Sequence, residues 1–389
     1  MGGALVPVDH GILASDESES PGARYRSGDT GDLAGRMEDC GPSSPPRPPF
    51  EKGTPVADDK TETALDVVGV GNAIVDVLAE VDEGFIDEHG LARGAMTLID
   101  NERAVELYAA MPPGLEESGG SAANTMVGVA SFGGRAAYIG KVADDFLGEV
   151  FRRDLRHVGV GFDMPGAVGG DPTARCLIQV TPDAQRTLNT YLGVSSHLSA
   201  SEIDGDLVAS AAHLYCEGYL WDTEEAKGAI RHAMDFAHAA GRTVSLTLSD
   251  GFCVDRHRDE WLDLLTDRVD VVFGNASELC SLFEVHDVDQ AADAVASEVD
   301  LAFVTLGKQG SMVVSGSDRI RIEADELEAV VDTTGAGDLY AAGVLFGLSQ
   351  GADLPHAARL GSIAAAEVIS HLGARPGRLL SAVAASILG

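Results

Sequence analysis

The segment 331–338 carries residues whose types and order could bind an anion and activate a hydroxyl. It reads Val-Asp-Thr-Thr-Gly-Ala-Gly-Asp, and an apolar helical run follows directly. This order predicts that the N–H groups of Gly335, Ala336 and Gly337 lie at a helix N-terminus, where unpaired donors and the helix dipole bind anions. Asp338 then suits a general base that takes a proton from a hydroxyl while the amides hold a phosphoryl group. A Gly-rich turn followed by an acidic first-turn residue explains the same letters, so the segment alone leaves both interpretations open.

A second Gly-rich segment lies about two hundred residues earlier, where Gly119, Gly120 and Ser121 precede Asn124 and an apolar run. The two segments, in this order, resemble those of the ribokinase-like (PfkB) family of small-molecule kinases. That family carries a GG-rich segment near its start and a DTxGAGD segment near its end. The resemblance covers roughly residues 65–376, and the pair of motifs makes it specific.

The resemblance implies a fold and a reaction. The implied fold is α/β, with a mostly parallel sheet between helices and a small β-sheet lid over the substrate. The implied reaction is ATP-dependent phosphorylation of a small molecule, with Asp338 as base, the amides of Gly335 to Gly337 as anion hole, and Mg²⁺ beside the phosphates. A monovalent cation, K⁺, near Asp332 and Thr334 is implied in the same way.

Polar residues at the carboxyl end of the first predicted strand, 65–71, suit a substrate with several hydroxyl groups. Asn72 and Asp76 interrupt an apolar run there, and a carboxylate can accept two hydroxyl protons. An N-cap Asn and a solvated Asp would explain the same pattern. By resemblance, the substrate-binding residues are Asn72, Asp76, Gly119, Gly120, Ser121 and Asn124, with Gly119 permitting a tight turn.

Two later strand ends resemble the family's nucleotide-binding turns. Asn275 and Glu278 match an N-x-x-E motif near the Mg²⁺ and phosphates. A single Glu acting through water suits Mg²⁺, although the same pair could form a helix capping box. Leu306 stands where many adenosine kinases have Arg. The other implied ATP-binding residues are Thr305, Gly307 and Gly310, and the candidate cations for phosphate are Lys308, Arg175 and Lys141.

The elements that must position these residues alternate between strands and helices from residue 65 to residue 306. This alternation predicts a mostly parallel sheet covered by helices, with ligands beyond the carboxyl ends of its strands. Two stretches, 77–98 and 173–191, interrupt it, and the second alternates like a β-hairpin. By resemblance, these stretches form the lid. We expect one kinase domain over residues 63–389.

Composition limits the partners. The 389 residues include 62 acidic and 27 basic side chains, a net charge of −35, which argues against binding to nucleic acids and anionic membranes. Residues 1–62 are acidic and Pro-rich without apolar periodicity, so we expect a disordered tail with no features of a targeting peptide.

The five cysteines form no Cys-x-x-Cys pair, which favours free thiols in a reducing cytoplasm. No apolar run reaches the length of a membrane span.

The substrate is the least determined feature. The stretches 246–252 (Leu-Thr-Leu-Ser-Asp-Gly-Phe) and 273–275 (Phe-Gly-Asn) resemble the adenosine kinase branch, so we expect phosphorylation of the 5′-hydroxyl of adenosine to AMP, a purine salvage reaction. Kinases for ribose, fructose, 2-keto-3-deoxygluconate or another nucleoside would share every catalytic residue. A catalytically inactive nucleoside-binding sensor is a further alternative, and both a monomer and a homodimer are compatible with the sequence.

Overall fold

The computed structural model describes residues 63–389 except 184, 326 and 328, so the predicted tail 1–62 lies outside the described residues. The four described cysteines are free thiols, and Cys40 belongs to the undescribed segment. Among the described helices, none combines the length and the hydropathy needed to span a bilayer.

Thirteen strands and twelve α-helices make up the described fold. The strands are β1 (Leu65–Val70), β2 (Ile74–Glu80), β3 (Met96–Leu98), β4 (Leu115–Gly119), β5 (Ala136–Ile139), β6 (Ala174–Val180), β7 (Arg186–Tyr191), β8 (Ala211–Glu217), β9 (Thr243–Thr247), β10 (Val271–Asn275), β11 (Leu301–Thr305), β12 (Ser311–Ser315) and β13 (Asp318–Ile322). The helices are α1 (Glu83–Glu88), α2 (Asn101–Ala110), α3 (Ser121–Ser131), α4 (Phe146–His157), α5 (Gly205–Ala209), α6 (Glu224–Ala239), α7 (Gly251–Arg268), α8 (Ala276–Leu282), α9 (Val288–Glu298), α10 (Ala336–Ser349), α11 (Leu354–Val368) and α12 (Ser381–Leu388).

The large sheet confirms the predicted α/β fold. Its eight strands run in the order β13-β12-β11-β10-β9-β8-β1-β5. The six strands from β11 to β5 are parallel, and β12 and β13 continue the sheet as an antiparallel hairpin. Strands such as β1 and β8 are buried along almost their whole length, as expected for parallel strands with helices on both faces.

The small sheet has the strand order β3-β7-β6-β2-β4. Strands β6 and β7 form the antiparallel hairpin that the sequence predicts. Strand β4, Leu115–Gly119, was not predicted because Leu-Glu-Glu-Ser-Gly has no apolar alternation. The placement of Asp76 at the end of the first strand was wrong: the chain leaves the large sheet after Val70, and Asp76 lies inside β2.

Helices α3, α10 and α11 pack closely because small residues face one another. A Cβ on Gly128 of α3 would lie 2.5 Å from Ala342 Cβ and 2.8 Å from Leu339 Cδ1 on α10. Where α10 meets α11, a Cβ on Gly343 of α10 would lie 2.5 Å from the backbone nitrogen of Gly361 in α11. Glycine is therefore needed where α10 meets its neighbours.

This packing predicts opposite effects for two Gly-to-Ala changes in helices. Gly343→Ala places a methyl group against backbone atoms and should lower the free energy of unfolding by roughly 1–3 kcal/mol. In Gly228→Ala of α6 the added Cβ meets nothing within 4 Å, so better helix propensity should raise the free energy by about 0.5–1 kcal/mol. Urea unfolding followed by circular dichroism measures both, and equal midpoints for the two variants would contradict the packing argument.

Candidate functional site

The two predicted Gly-rich segments meet at the facing N-termini of α3 and α10. Asp338, in the first turn of α10, accepts hydrogen bonds from Ser121 Oγ at 2.7 Å and Asn124 Nδ2 at 3.2 Å. The two helices begin after Gly120 and Gly335, and neither has a side-chain cap. The structure thus brings together residues more than 200 positions apart in sequence, with a carboxylate held between two uncapped helix ends.

The start of α10 has backbone donors available for an anion. Gly335 adopts a left-handed conformation with φ 77°, and a Cβ there would lie 2.6 Å from the carbonyl oxygen of Ala374. The N–H groups of Gly335 and Gly337 donate to no acceptor in the described part of the chain, whereas Ala336 donates to Thr333 O at 3.3 Å. Free amide donors at a helix N-terminus attract negative charge.

The protonation of Asp338 follows from its surroundings. Burial raises the pKa of Asp338 to about 6, and the hydrogen bonds from Ser121 and Asn124 oppose this rise. The carboxylate is therefore mainly ionised at neutral pH and close enough in pKa to exchange a proton. Such a value suits a general base working near pH 7.

Asp76 lies beside this site on the small sheet. A Cβ on Gly119 would lie 2.3 Å from Asp76 Oδ2, so glycine is needed for the approach of the carboxylate. The expected turn belongs to Gly120, which has φ 93°. Burial raises the pKa of Asp76 to about 7, with Glu117 as the next contributor. Glu117 is directly opposite Asp76 in the β2–β4 register.

Glu217 is a functional candidate that the sequence analysis missed. It ends β8, is 1% exposed, and accepts hydrogen bonds from Asn72 Nδ2 at 3.1 Å and the Ala122 backbone at 2.9 Å. Ser195 Oγ donates to Asn72 Oδ1 at 3.0 Å, so Asn72 is held from two sides. Burial raises the pKa of Glu217 to about 7. A lone Glu at the carboxyl end of an apolar strand was the available signal.

Asn275 and Glu278 form the capping box that was one of the two interpretations of this motif. Glu278 Oε2 accepts from the Asn275 backbone at 2.9 Å, and Asn275 Oδ1 accepts from the Glu278 backbone at 2.9 Å. Burial raises the pKa of Glu278 to about 7. Each carboxylate oxygen accepts one hydrogen bond, so lone pairs remain for water.

A cavity of about 640 Å³ lies beside the C-terminal end of α11. Its lining includes Ile363, His371 and Arg378. The backbone of Val331 donates to Ile369 O at 2.9 Å, which joins this end of α11 to the loop that leads into α10. The volume of the cavity is large enough for part of a nucleotide.

The predicted ATP-binding turn after β11 and two of the candidate cations belong to other parts of the fold. Thr305 ends β11, and the following turn is closed by a hydrogen bond from Leu306 N to Gly310 O at 2.8 Å. A Cβ on Gly310 would lie 2.0 Å from Ile322 O, so this glycine serves packing against β13. Two candidate cations have protein partners: Lys141 bonds Glu202 at 2.9 Å, and Arg175 lies over the rings of Tyr108 and Tyr191.

Comparison with known proteins agrees with this geometry. The profile of the pfkB family carbohydrate kinases matches residues 96–379. The crystal structure of adenosine kinase from Sinorhizobium meliloti is 50% identical, covers 83% of this chain and 99% of its own, and has a TM-score of 0.77. A probable sugar kinase from Rhizobium etli is 45% identical, with coverages of 83% and 98% and a TM-score of 0.78.

A curated relative is more distant. The guanosine-inosine kinase of Escherichia coli is 28% identical over 254 residues, which are 63% of this chain and 58% of that kinase. The DTTGAGD segment and the GG-rich segment both lie within residues 96–379, which the family profile matches. The fold agrees with that of the Sinorhizobium meliloti adenosine kinase over 83% of this chain. The chain belongs to the pfkB family of carbohydrate kinases and is an ATP-dependent phosphotransferase.

Proposed function

We propose that this kinase transfers the γ-phosphoryl group of ATP to the 5′-hydroxyl of adenosine, giving AMP and ADP. The observation that carries the proposal is the 50% identity to the adenosine kinase of Sinorhizobium meliloti over 99% of that chain. The stretch 246–252, which resembles the adenosine kinase branch, supports the same substrate.

The small sheet offers a surface that suits a nucleoside. Its register places Asp76 on one face with Leu78, Ile178 and Leu188, because alternate residues of a strand share a face. The carboxylate can accept hydrogen bonds from the ribose hydroxyls, and the apolar side chains can cover the base. We propose that the small sheet is the lid of the site and that this face is turned to the acceptor.

In the proposed mechanism the acceptor hydroxyl lies against Asp338. The carboxylate orients the hydroxyl and takes its proton as the new O–P bond forms. The bond between the γ-phosphorus and the β,γ-bridging oxygen breaks, and ADP leaves with the electron pair. The free amides of Gly335 and Gly337 stabilise the charge on the transferring group. Cover by the small sheet excludes water, which would otherwise accept the phosphoryl group.

The nucleotide is proposed to extend from this anion site into the cavity beside α11, with its base against Ile363 and His371. Glu278 fits a role toward Mg²⁺ through water, because its oxygens retain free lone pairs. In the described residues no cluster of three carboxylate, His or Cys ligands is present, so phosphate and water would supply most ligands, as is usual for this ion. When bound, Mg²⁺ neutralises phosphate charge.

The substrate prediction is tested by ADP release from Mg·ATP with adenosine, inosine, guanosine, ribose, fructose and 2-keto-3-deoxygluconate. We expect kcat/KM for adenosine to exceed that for each free sugar by at least about 100-fold, because only a base fills the apolar face of the lid. Preference for a sugar would overturn the adenosine assignment while leaving the kinase chemistry intact. Absence of turnover with every compound would favour the sensor.

A second candidate is a sugar kinase, which the similarity to the Rhizobium etli protein favours. This alternative requires polar contacts for the sugar hydroxyls, whereas Leu78, Ile178 and Leu188 on the face that carries Asp76 are apolar; Thr190 and Arg186 are the polar residues of β7 on that face. The same panel separates the two candidates, since they differ in acceptor and share the anion site.

Asp338→Asn tests the base. The variant keeps the size of the side chain but cannot take a proton, so kcat should fall by roughly 10²–10⁴-fold while the affinities for ATP and adenosine change little. Asp353→Asn is the matched control, because Asp353 caps α11 and otherwise contacts only the exposed His356 in the described residues, and Asn is an equally good cap. Steady-state turnover and calorimetric titration measure the two effects. Turnover of Asp338→Asn near the wild-type rate would remove Asp338 as the base.

The pH dependence follows from the raised pKa values of Asp338, about 6, and Asp76, about 7. Both must be ionised to act, so kcat/KM for adenosine should be constant at alkaline pH and fall as the pH drops through this window. In Asp76→Asn the pH profile of kcat/KM should keep a single fall near pH 6, which belongs to Asp338. Ionisation of groups with raised pKa opposes folding, so these two carboxylates favour stability at lower pH. A constant kcat/KM down to pH 5 in folded protein would contradict the assignment.

A further inference from the structure

Arg186 connects the small sheet to the loop that leads into α10. It begins β7 at the tip of the β6–β7 hairpin, and its Nη2 lies 2.9 Å from Asp332 Oδ2. Each of the two side chains is 8% exposed. The partners are 146 positions apart in sequence, so the contact exists only when the hairpin tip lies against the anion site.

Asp332 organises this loop through further hydrogen bonds. Its Oδ1 accepts from Thr334 N at 3.0 Å and from Thr334 Oγ1 at 2.7 Å. Its Oδ2 accepts from Gly373 N at 3.0 Å. Ala374, the next residue, packs against Gly335. The carboxylate therefore ties together the two backbone segments that fix the left-handed turn of Gly335 and the free amides after it.

A buried carboxylate requires a compensating charge, because loss of hydration is costly for an unpaired ion. Arg186 provides that charge from the small sheet. Arg93, also on the small-sheet side, pairs with Glu83 and Asp183 at 2.7 Å, but the three side chains are between 41% and 54% exposed. Such exposed pairs contribute little to stability. We therefore expect the Arg186–Asp332 pair to affect the site and the Arg93 pairs not to.

The residues around Asp332 do not fit the K⁺ ion that the family resemblance implies. Both carboxylate oxygens already accept N–H or O–H donors, and the guanidinium group of Arg186 is in contact with Oδ2. A metal cation at this carboxylate would have to lie beside the positive charge of Arg186, which repels it. In this arrangement Oδ1 accepts two hydrogen bonds and Oδ2 accepts one, and the guanidinium group 2.9 Å from Oδ2 occupies the space beside it that a cation would need.

We propose that Arg186 is the counter-cation of Asp332 and a positioning residue for phosphoryl transfer: closure of the small sheet, and not a bound potassium ion, completes the anion loop. The proposal rests on the phosphoryl-transfer function of the site, but it does not depend on whether the acceptor is adenosine.

The test compares the wild type with Arg186→Met, Arg186→Lys and the control Arg93→Met, each in KCl and in choline chloride of equal ionic strength. The acceptor is whichever compound of the panel turns over fastest. The wild type should have the same kcat in both salts. Arg186→Met should lose about tenfold or more in kcat in choline chloride and recover part of it in KCl, because Asp332 then has a free position and no partner charge. Arg186→Lys should keep most of the activity, and Arg93→Met all of it.

A second measurement needs no substrate. The Tm of the wild type should be equal in the two salts, whereas Arg186→Met should melt at a higher temperature in KCl than in choline chloride. Adding Asp332→Asn to Arg186→Met should abolish this difference, because the site for the cation is then removed. This readout still tests Arg186 if adenosine proves not to be the acceptor.

Three results would overturn the proposal. Strong activation of the wild type by KCl would mean that Asp332 binds the ion in the working enzyme. Wild-type kcat in Arg186→Met would show that the ion pair does not position the loop. A raised KM for ATP with unchanged kcat in that variant would assign Arg186 to nucleotide binding. If Arg186→Met does not fold, kcat of the wild type and of Arg186→Lys in the two salts still tests the proposal, because activation of the wild type by KCl would overturn it.

Discussion

The close approach of α3 to α10 is the packing interaction on which the whole site depends. Gly128 has no Cβ to separate the helices, so the N-terminus of α3 lies against the first turn of α10. Asp338 can then accept hydrogen bonds from Ser121 and Asn124. Because glycine precedes each helix, no capping side chain competes for the first amides. One packing contact thus places the proposed base, Asp338, and the free amides of α10 beside α3, and an added methyl group at this contact would disturb both.

The site concentrates negative charge in a chain that is already strongly acidic, with a net charge of −35. Five of the carboxylates described above have a raised pKa, chiefly through burial: Asp76, Glu117, Glu217, Glu278 and Asp338. Their ionisation opposes folding near neutral pH, so the surrounding core must compensate. The same burial brings Asp338 close to the pKa that a base needs. Stability and activity therefore make opposite demands on these side chains, as is common in active sites.

The sequence predicted what local patterns can encode. The motif at 331–338 correctly indicated the helix start, and period-2 alternation indicated the β6–β7 hairpin, whereas the anion site remains a prediction. Strand β4 was missed because its polar residues are placed by pairing with β2, which no periodicity within Leu-Glu-Glu-Ser-Gly reveals. The contact of Arg186 was missed for a related reason: its partner, Asp332, is distant in sequence. Local patterns predicted the type of most elements, whereas pairing between residues distant in sequence could not be predicted.

In the proposed mechanism, substrate choice depends on a different part of the fold from the chemistry. Asp338 acts on the hydroxyl group that every acceptor must have, and the glycine amides act on the phosphoryl group that ATP supplies. In the proposed arrangement the acceptor's remaining surface meets the small sheet, where Asp76, Glu117 and Thr190 are polar and Leu78 and Leu188 are apolar. A sugar turned toward that apolar part would lose hydration from its hydroxyl groups without replacing the hydrogen bonds, at a cost of roughly 1–3 kcal/mol for each group. A purine presents an aromatic face there, and the hydrophobic effect favours its burial. The same sheet carries Arg186, which contacts Asp332; under the proposal above, an acceptor that fills this face would favour the closed arrangement in which the loop is complete.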